Sequence, residues 1–91
     1  MEIRYGAHPR DVKNYDTARL REEFLIRELF TPGQIKMVYS HSDRMITGSV
    51  VPLAEMLQLE GSREIGSNFF LQRRELGIIN IGESGIVSVD G

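Results

Sequence analysis

The chain has 91 residues, with 11 basic and 13 acidic side chains giving a formal charge of −2, two histidines and no cysteine. That length is one domain at most, small enough that its core must be thin. The composition excludes disulfides, leaves no basic stripe able to neutralise several phosphates, and holds no run of about 18 apolar residues to cross a membrane.

A cysteine-free chain fits a reducing compartment. The opening Met1-Glu2-Ile3-Arg4-Tyr5 lacks the apolar stretch of a secretory signal. A soluble cytoplasmic protein is the expectation, with neither nucleic acid nor membrane as a partner.

In chain order, residues 1–15 read as an arm, because Gly6, the His8-Pro9 pair and Asn14 break any period. Pro9 biases His8 towards an extended conformation. Asp16 is a predicted N-cap, and Thr17 opens a short helix with Leu20 and Phe24 on one face. Arg19 and Glu23, and Glu23 and Arg27, are spaced as ion pairs worth tenths of a kcal/mol each.

Residues Phe24 to Phe30 fit both a helical and a two-residue period, and a strand is favoured because Thr31-Pro32-Gly33-Gln34 follows as a turn. Ile35 to Tyr39 then returns as the second half of a β-hairpin, with Ile35, Met37 and Tyr39 on one face. A third strand is predicted from Arg44 to Val51, ended by Pro52. Leu57 to Glu60 is a fourth candidate, and Gly61 to Gly66 is a polar connection. Leu76 to Ile81, the loop Gly82-Glu83-Ser84-Gly85, and Ile86 to Val89 read as a final hairpin. Met37, Met45 and Met56 read as core filler.

The sum predicts a mainly β, antiparallel fold with one short N-terminal helix, in which residues 16–91 form a β-rich segment. Asp90-Gly91 is itself a turn signal, so the expectation is that a further strand follows it.

Three constellations bear on chemistry. Ser40-His41-Ser42-Asp43 places a nucleophile, a base and a carboxylate side by side, but neighbours on an extended chain point to opposite faces, whereas a triad converges in space. His41 therefore reads as a turn or strand-end residue, and no catalytic residue is assigned. His8 and His41 lack the short spacings of a zinc site, so the chain is expected to bind no metal alone. Arg73-Arg74-Glu75 is the best candidate for recognising a ligand, since paired guanidinium groups suit the carboxylate of an acidic sugar. The competing reading is an ion pair with Glu75 or Glu64, or a subunit contact.

The strings Leu20-Arg21-Glu22-Glu23-Phe24-Leu25, Met37-Val38-Tyr39-Ser40-His41-Ser42-Asp43-Arg44 and Phe70 to Gly82 (FLQRRELGIINIG), taken together, resemble the N-terminal third of the 5-keto-4-deoxyuronate isomerase family. The resemblance runs almost end to end. It implies a cytoplasmic enzyme of pectin and uronate breakdown with a cupin-like double β-barrel, hexameric assembly, a small acidic sugar as substrate, and zinc held by three His and one Glu. Those ligands lie in the second barrel of the family, in a His-x-His-x4-Glu stretch and a later His, and no such motif occurs here. The resemblance thus implies that residues 16–91 are an incomplete first barrel, with the metal outside the chain. Arg73, Arg74 and His41 are the candidates for touching substrate. The alternative is a free-standing small β-domain that binds an anionic sugar or serves as an oligomerisation module.

Overall fold

Five elements succeed one another in a computed structural model that describes residues 1–89: β1 (Glu2–Arg4), α1 (Pro9–Val12), α2 (Thr17–Phe24), β2 (Ile35–Ser40) and β3 (Met45–Val50). The three strands make one sheet in the order β1-β2-β3, so the fold is mainly β with two short helices. The turn signal at Asp90-Gly91 lies outside the described residues.

β2 and β3 pair antiparallel, Ile35 opposite Val50 and Ser40 opposite Met45, around the four-residue turn His41 to Arg44. β1 pairs parallel to β2, with Glu2 opposite Val38 and Arg4 opposite Ser40. The sheet is therefore mixed where a purely antiparallel one was expected. Parallel pairing requires a long crossover, and the segment carrying α1 and α2 provides it. The arm predicted for residues 1–15 is thus partly structured: it contributes β1 and α1, and His8 caps α1 by accepting the Arg10 N–H on Nδ1 at 3.1 Å.

α2 begins as predicted, with Asp16 Oδ1 accepting the Arg19 N–H at 2.8 Å. It stops at Phe24, so Glu23 pairs with Arg19, at 3.9 Å, and Arg27 lies beyond the helix. The strand favoured over Phe24 to Phe30 does not form. Both edges of β2, the partner predicted for that segment, are taken by β1 and β3, so the expected hairpin with β2 is displaced. It is held instead by side-chain bonds: buried Ser49 donates its hydroxyl to the Leu29 carbonyl, and Thr31 Oγ1 donates to the Glu28 carbonyl at 3.1 Å.

The predicted turn is present. Gly33 sits at φ 76°, and the Gln34 N–H reaches the Thr31 carbonyl at 3.2 Å. The Val51 N–H then bonds the Gln34 carbonyl at 3.3 Å, which extends the β2–β3 ladder past its last paired residues.

The core is as thin as the length demands. Among the described residues the buried hydrophobic side chains are Val38 and Phe70, at 6% and 5% exposure. Met45 and Met56 stand in solvent at 61% and 88%, so these two methionines are surface residues where core filler was expected. The total accessible surface is 7975 Å². A globular chain of this mass exposes about 5,400 Å².

No strand forms at Leu57 to Glu60, nor in the predicted hairpin of residues 76–89. Of that hairpin the loop exists: the Gly82 N–H donates to Asn80 Oδ1 at 3.0 Å, and Asn80 Nδ2 donates to the Glu83 carbonyl at 3.1 Å. The flanks do not pair, because an isolated two-stranded hairpin is marginal in water without a third strand or a packed face.

Candidate functional site

β1 and β2 end side by side, and the parallel ladder continues one step beyond them: the His41 N–H donates to the Arg4 carbonyl at 2.8 Å. That bond fixes His41 at the mouth of the β2–β3 turn, beside Tyr5. The two rings stack with centroids 5.0 Å apart and planes 13° from parallel. Tyr39, two residues before His41 on the same strand, meets the imidazole from another side at 4.7 Å and 47°.

Arg74 completes the cluster from the far end of the sequence. Its guanidinium lies 5.6 Å from the centroid of the Tyr39 ring, within the range of cation–π attraction. Neither Arg74 nor Arg73 has a carboxylate within 4 Å among the described residues. The ion pair with Glu75 or Glu64 weighed from the sequence does not form there. Glu64 is instead stabilised locally: its own backbone N–H, and after it the Ser62 hydroxyl, hold its carboxyl below the usual range.

Two of the three predicted site residues, His41 and Arg74, therefore converge on Tyr39. Arg73 is exposed and takes no part in the aromatic contacts. His41 sits in the turn, as its sequence context suggested, and Ser42 and Asp43 accompany it there rather than forming a triad.

Sequence reasoning missed Arg4, Tyr5 and Tyr39. Arg4 is largely buried; its Nε bonds Glu2 Oε1 at 2.9 Å, while Nη1 is buried with no partner. Tyr5 is 74% exposed, which leaves one ring face open to solvent. The only signal was aromatic enrichment around His41 in Tyr39-Ser40-His41, and nothing local linked it to Tyr5.

Such a cluster can hold a small polar anion. A guanidinium without its own carboxylate can bind one by donating two parallel N–H bonds to it, an imidazole adds a donor or acceptor, and an exposed tyrosine offers a flat apolar face with a hydroxyl at its rim. A cleft of about 360 Å³ opens nearby between Arg4, Tyr5, Tyr15, Arg19, Glu22 and Glu23. Its arginines already face carboxylates, Arg4 bonded to Glu2 at 2.9 Å and Arg19 paired with Glu23 at 3.9 Å, so the cleft is less suited to an anion than the Tyr39 cluster.

Among the described residues no three His, Cys, Asp or Glu side chains come together as metal ligands. No described helix is long and apolar enough to cross a membrane.

Comparison with known proteins gives a consistent answer. No family model matches. The chain is 57% identical over all 91 residues to the 4-deoxy-L-threo-5-hexosulose-uronate ketol-isomerase of Lachnoclostridium phytofermentans. It is 53% identical over 91 residues to the protein of that name from Halalkalibacterium halodurans, and 52% identical over 86 residues to one from Bacteroides thetaiotaomicron. The chain covers 33%, 33% and 31% of these relatives respectively, and matches their N-terminal third.

Proposed function

We propose that this chain is the N-terminal portion of a ketol-isomerase that interconverts 5-dehydro-4-deoxy-D-glucuronate and 3-deoxy-D-glycero-2,5-hexodiulosonate in uronate breakdown. The observation that carries the reading is 57% identity across every residue to a protein named for that activity.

Moving a carbonyl to the adjacent carbon takes a proton from one carbon and returns it to its neighbour, with enediolate charge in between. A zinc ion acting as a Lewis acid would polarise the carbonyl and stabilise that charge. The described residues here do not fit such an ion, since no three ligating side chains converge. In this reading the parent is a cupin-like, two-barrel cytoplasmic hexamer whose second barrel supplies the metal ligands.

What this chain contributes is a grip on the substrate. Arg74, free of any carboxylate among the described residues, takes the uronate carboxylate; His41 hydrogen-bonds beside it; Tyr5 covers the carbon skeleton; and Arg73 adds positive charge at the rim. The same cluster supports a second reading, a free-standing module that captures an anionic sugar, because these groups meet within this chain alone.

The test compares the purified 91-residue chain with the same residues joined to the remaining two-thirds of the Lachnoclostridium relative. The joined chain is expected to isomerise the substrate and the 91-residue chain to be inactive. Turnover by the short chain alone overturns this division of labour, and an inactive joined chain overturns the isomerase reading.

A further inference from the structure

Residues 76–89 contain a preformed turn flanked by two segments that carry strand sequence yet pair with no strand among the described residues. Asn80 closes the turn through its amide group. Around it Ile79, Ile81 and Ile86 are 87%, 73% and 97% exposed, and Ile78, Val87 and Val89 at least 58%. Between Leu76 and Val89 the single charge is Glu83, in the turn itself.

Alternation places Ile79 and Ile81 on one face, and Leu76 and Ile78 on the other. Both faces are apolar, the pattern of a strand covered on two sides rather than one. The sheet β1-β2-β3 offers no such cover: these side chains lie in solvent beside it. The chain as a whole exposes roughly 2,600 Å² more than a globule of its mass, an excess on the scale of an obligate interface.

We infer that residues 76–89 are a docking hairpin, and that its partner is the polypeptide which the relatives carry beyond the third matched here. This rests on the reading of the chain as the first third of a longer isomerase. Relatives three times the length of the match supply a partner tethered to this chain, and the chemistry required of it is specific. It must present an open strand edge to pair the free backbone groups of residues 76–81 or 86–89, and an apolar sheet face to cover Ile79, Ile81 and Ile86. Docking completes in one step the pairing that the hairpin cannot sustain alone.

Amide hydrogen exchange tests this on two proteins: the 91-residue chain, and the same residues joined to the remaining two-thirds of the Lachnoclostridium relative. In the short chain the amides of 76–81 and 86–89 are expected to exchange at nearly the unstructured rate. In the joined chain they are expected to slow by at least about 100-fold. Ile79→Lys in the joined chain should abolish that slowing while leaving β2 and β3 protected, since Ile79 makes no contribution to their packing.

Free exchange of 76–89 in the joined chain overturns the proposal. So does protection in the short chain that rises with its concentration, which would make a second copy the occupant. Isomerase turnover, followed on the same joined chain, separates the two readings. Protection without turnover supports the docking and counts against the activity; turnover without protection does the reverse.

Discussion

His41 lies flat on Tyr5, the ring planes 13° apart, although one residue belongs to the hairpin turn and the other to the chain's first few residues. The stack exists because the His41 N–H bonds the Arg4 carbonyl and so sets the two rings in register. Replacing Tyr5 by Ala removes the ring that shields the imidazole while sparing that backbone bond. The His41 ring-proton resonances are expected to move downfield in proton NMR, with stability falling by no more than about 0.5 kcal/mol for so exposed a pair.

Gly61 has no room for a side chain. A Cβ there would fall on the main chain of Ser67 and Asn68, which cannot swing aside as a side-chain tip can. Gly61→Ala should destabilise the protein by about 1–3 kcal/mol through forced backbone displacement. A lowered urea midpoint with an unchanged slope would register it.

Ser49 is the buried polar side chain of β3, and its hydroxyl satisfies the Leu29 carbonyl. Ser49→Ala leaves that carbonyl unpaired in a partly buried place and releases the 25–30 segment from the sheet. The expected loss is about 1–2 kcal/mol. Faster amide exchange confined to residues around Leu29 would distinguish release of the segment from general unfolding.

On the proposed function, Arg74→Ala removes a charged donor that has no carboxylate partner among the described residues. Binding of D-glucuronate, a stable stand-in for the substrate, should weaken by about tenfold or more. Arg73→Ala should weaken it less, since Arg73 stands apart from the aromatic rings. An NMR titration of the His41 and Tyr5 resonances follows both variants, and equal losses would argue for a diffuse charge effect instead.

Much of the local structure was legible because its causes are local. Asp16 caps α2 with its own carboxylate, Pro32 and Gly33 set their turn by their own torsional preferences, and Pro52 marks the end of β3. β1 was invisible: three residues, Glu2-Ile3-Arg4, are too few to show a period, and their pairing is decided by a strand more than thirty residues away. The wrong assignment over 24–30 has the same root, since sequence shows a segment's taste for strand but not that β2, its expected partner, is paired on both sides by β1 and β3. Within the candidate site, Arg74 and His41 stood out by their chemistry. Tyr5, Tyr39 and Arg4 did not, because only the parallel pairing of β1 with β2 brings them together.

That parallel pairing has a consequence for the order of events as the chain is made. β2 and β3 are neighbours in sequence and can zip within microseconds once both have emerged. β1 leaves the ribosome before β2, yet its partner strand appears only after the whole helical crossover, and closing that long loop carries its own entropic cost. β1, made before β2, is thus among the last of the strands to settle, and the Tyr5–His41 contact marks the end of sheet assembly rather than its beginning.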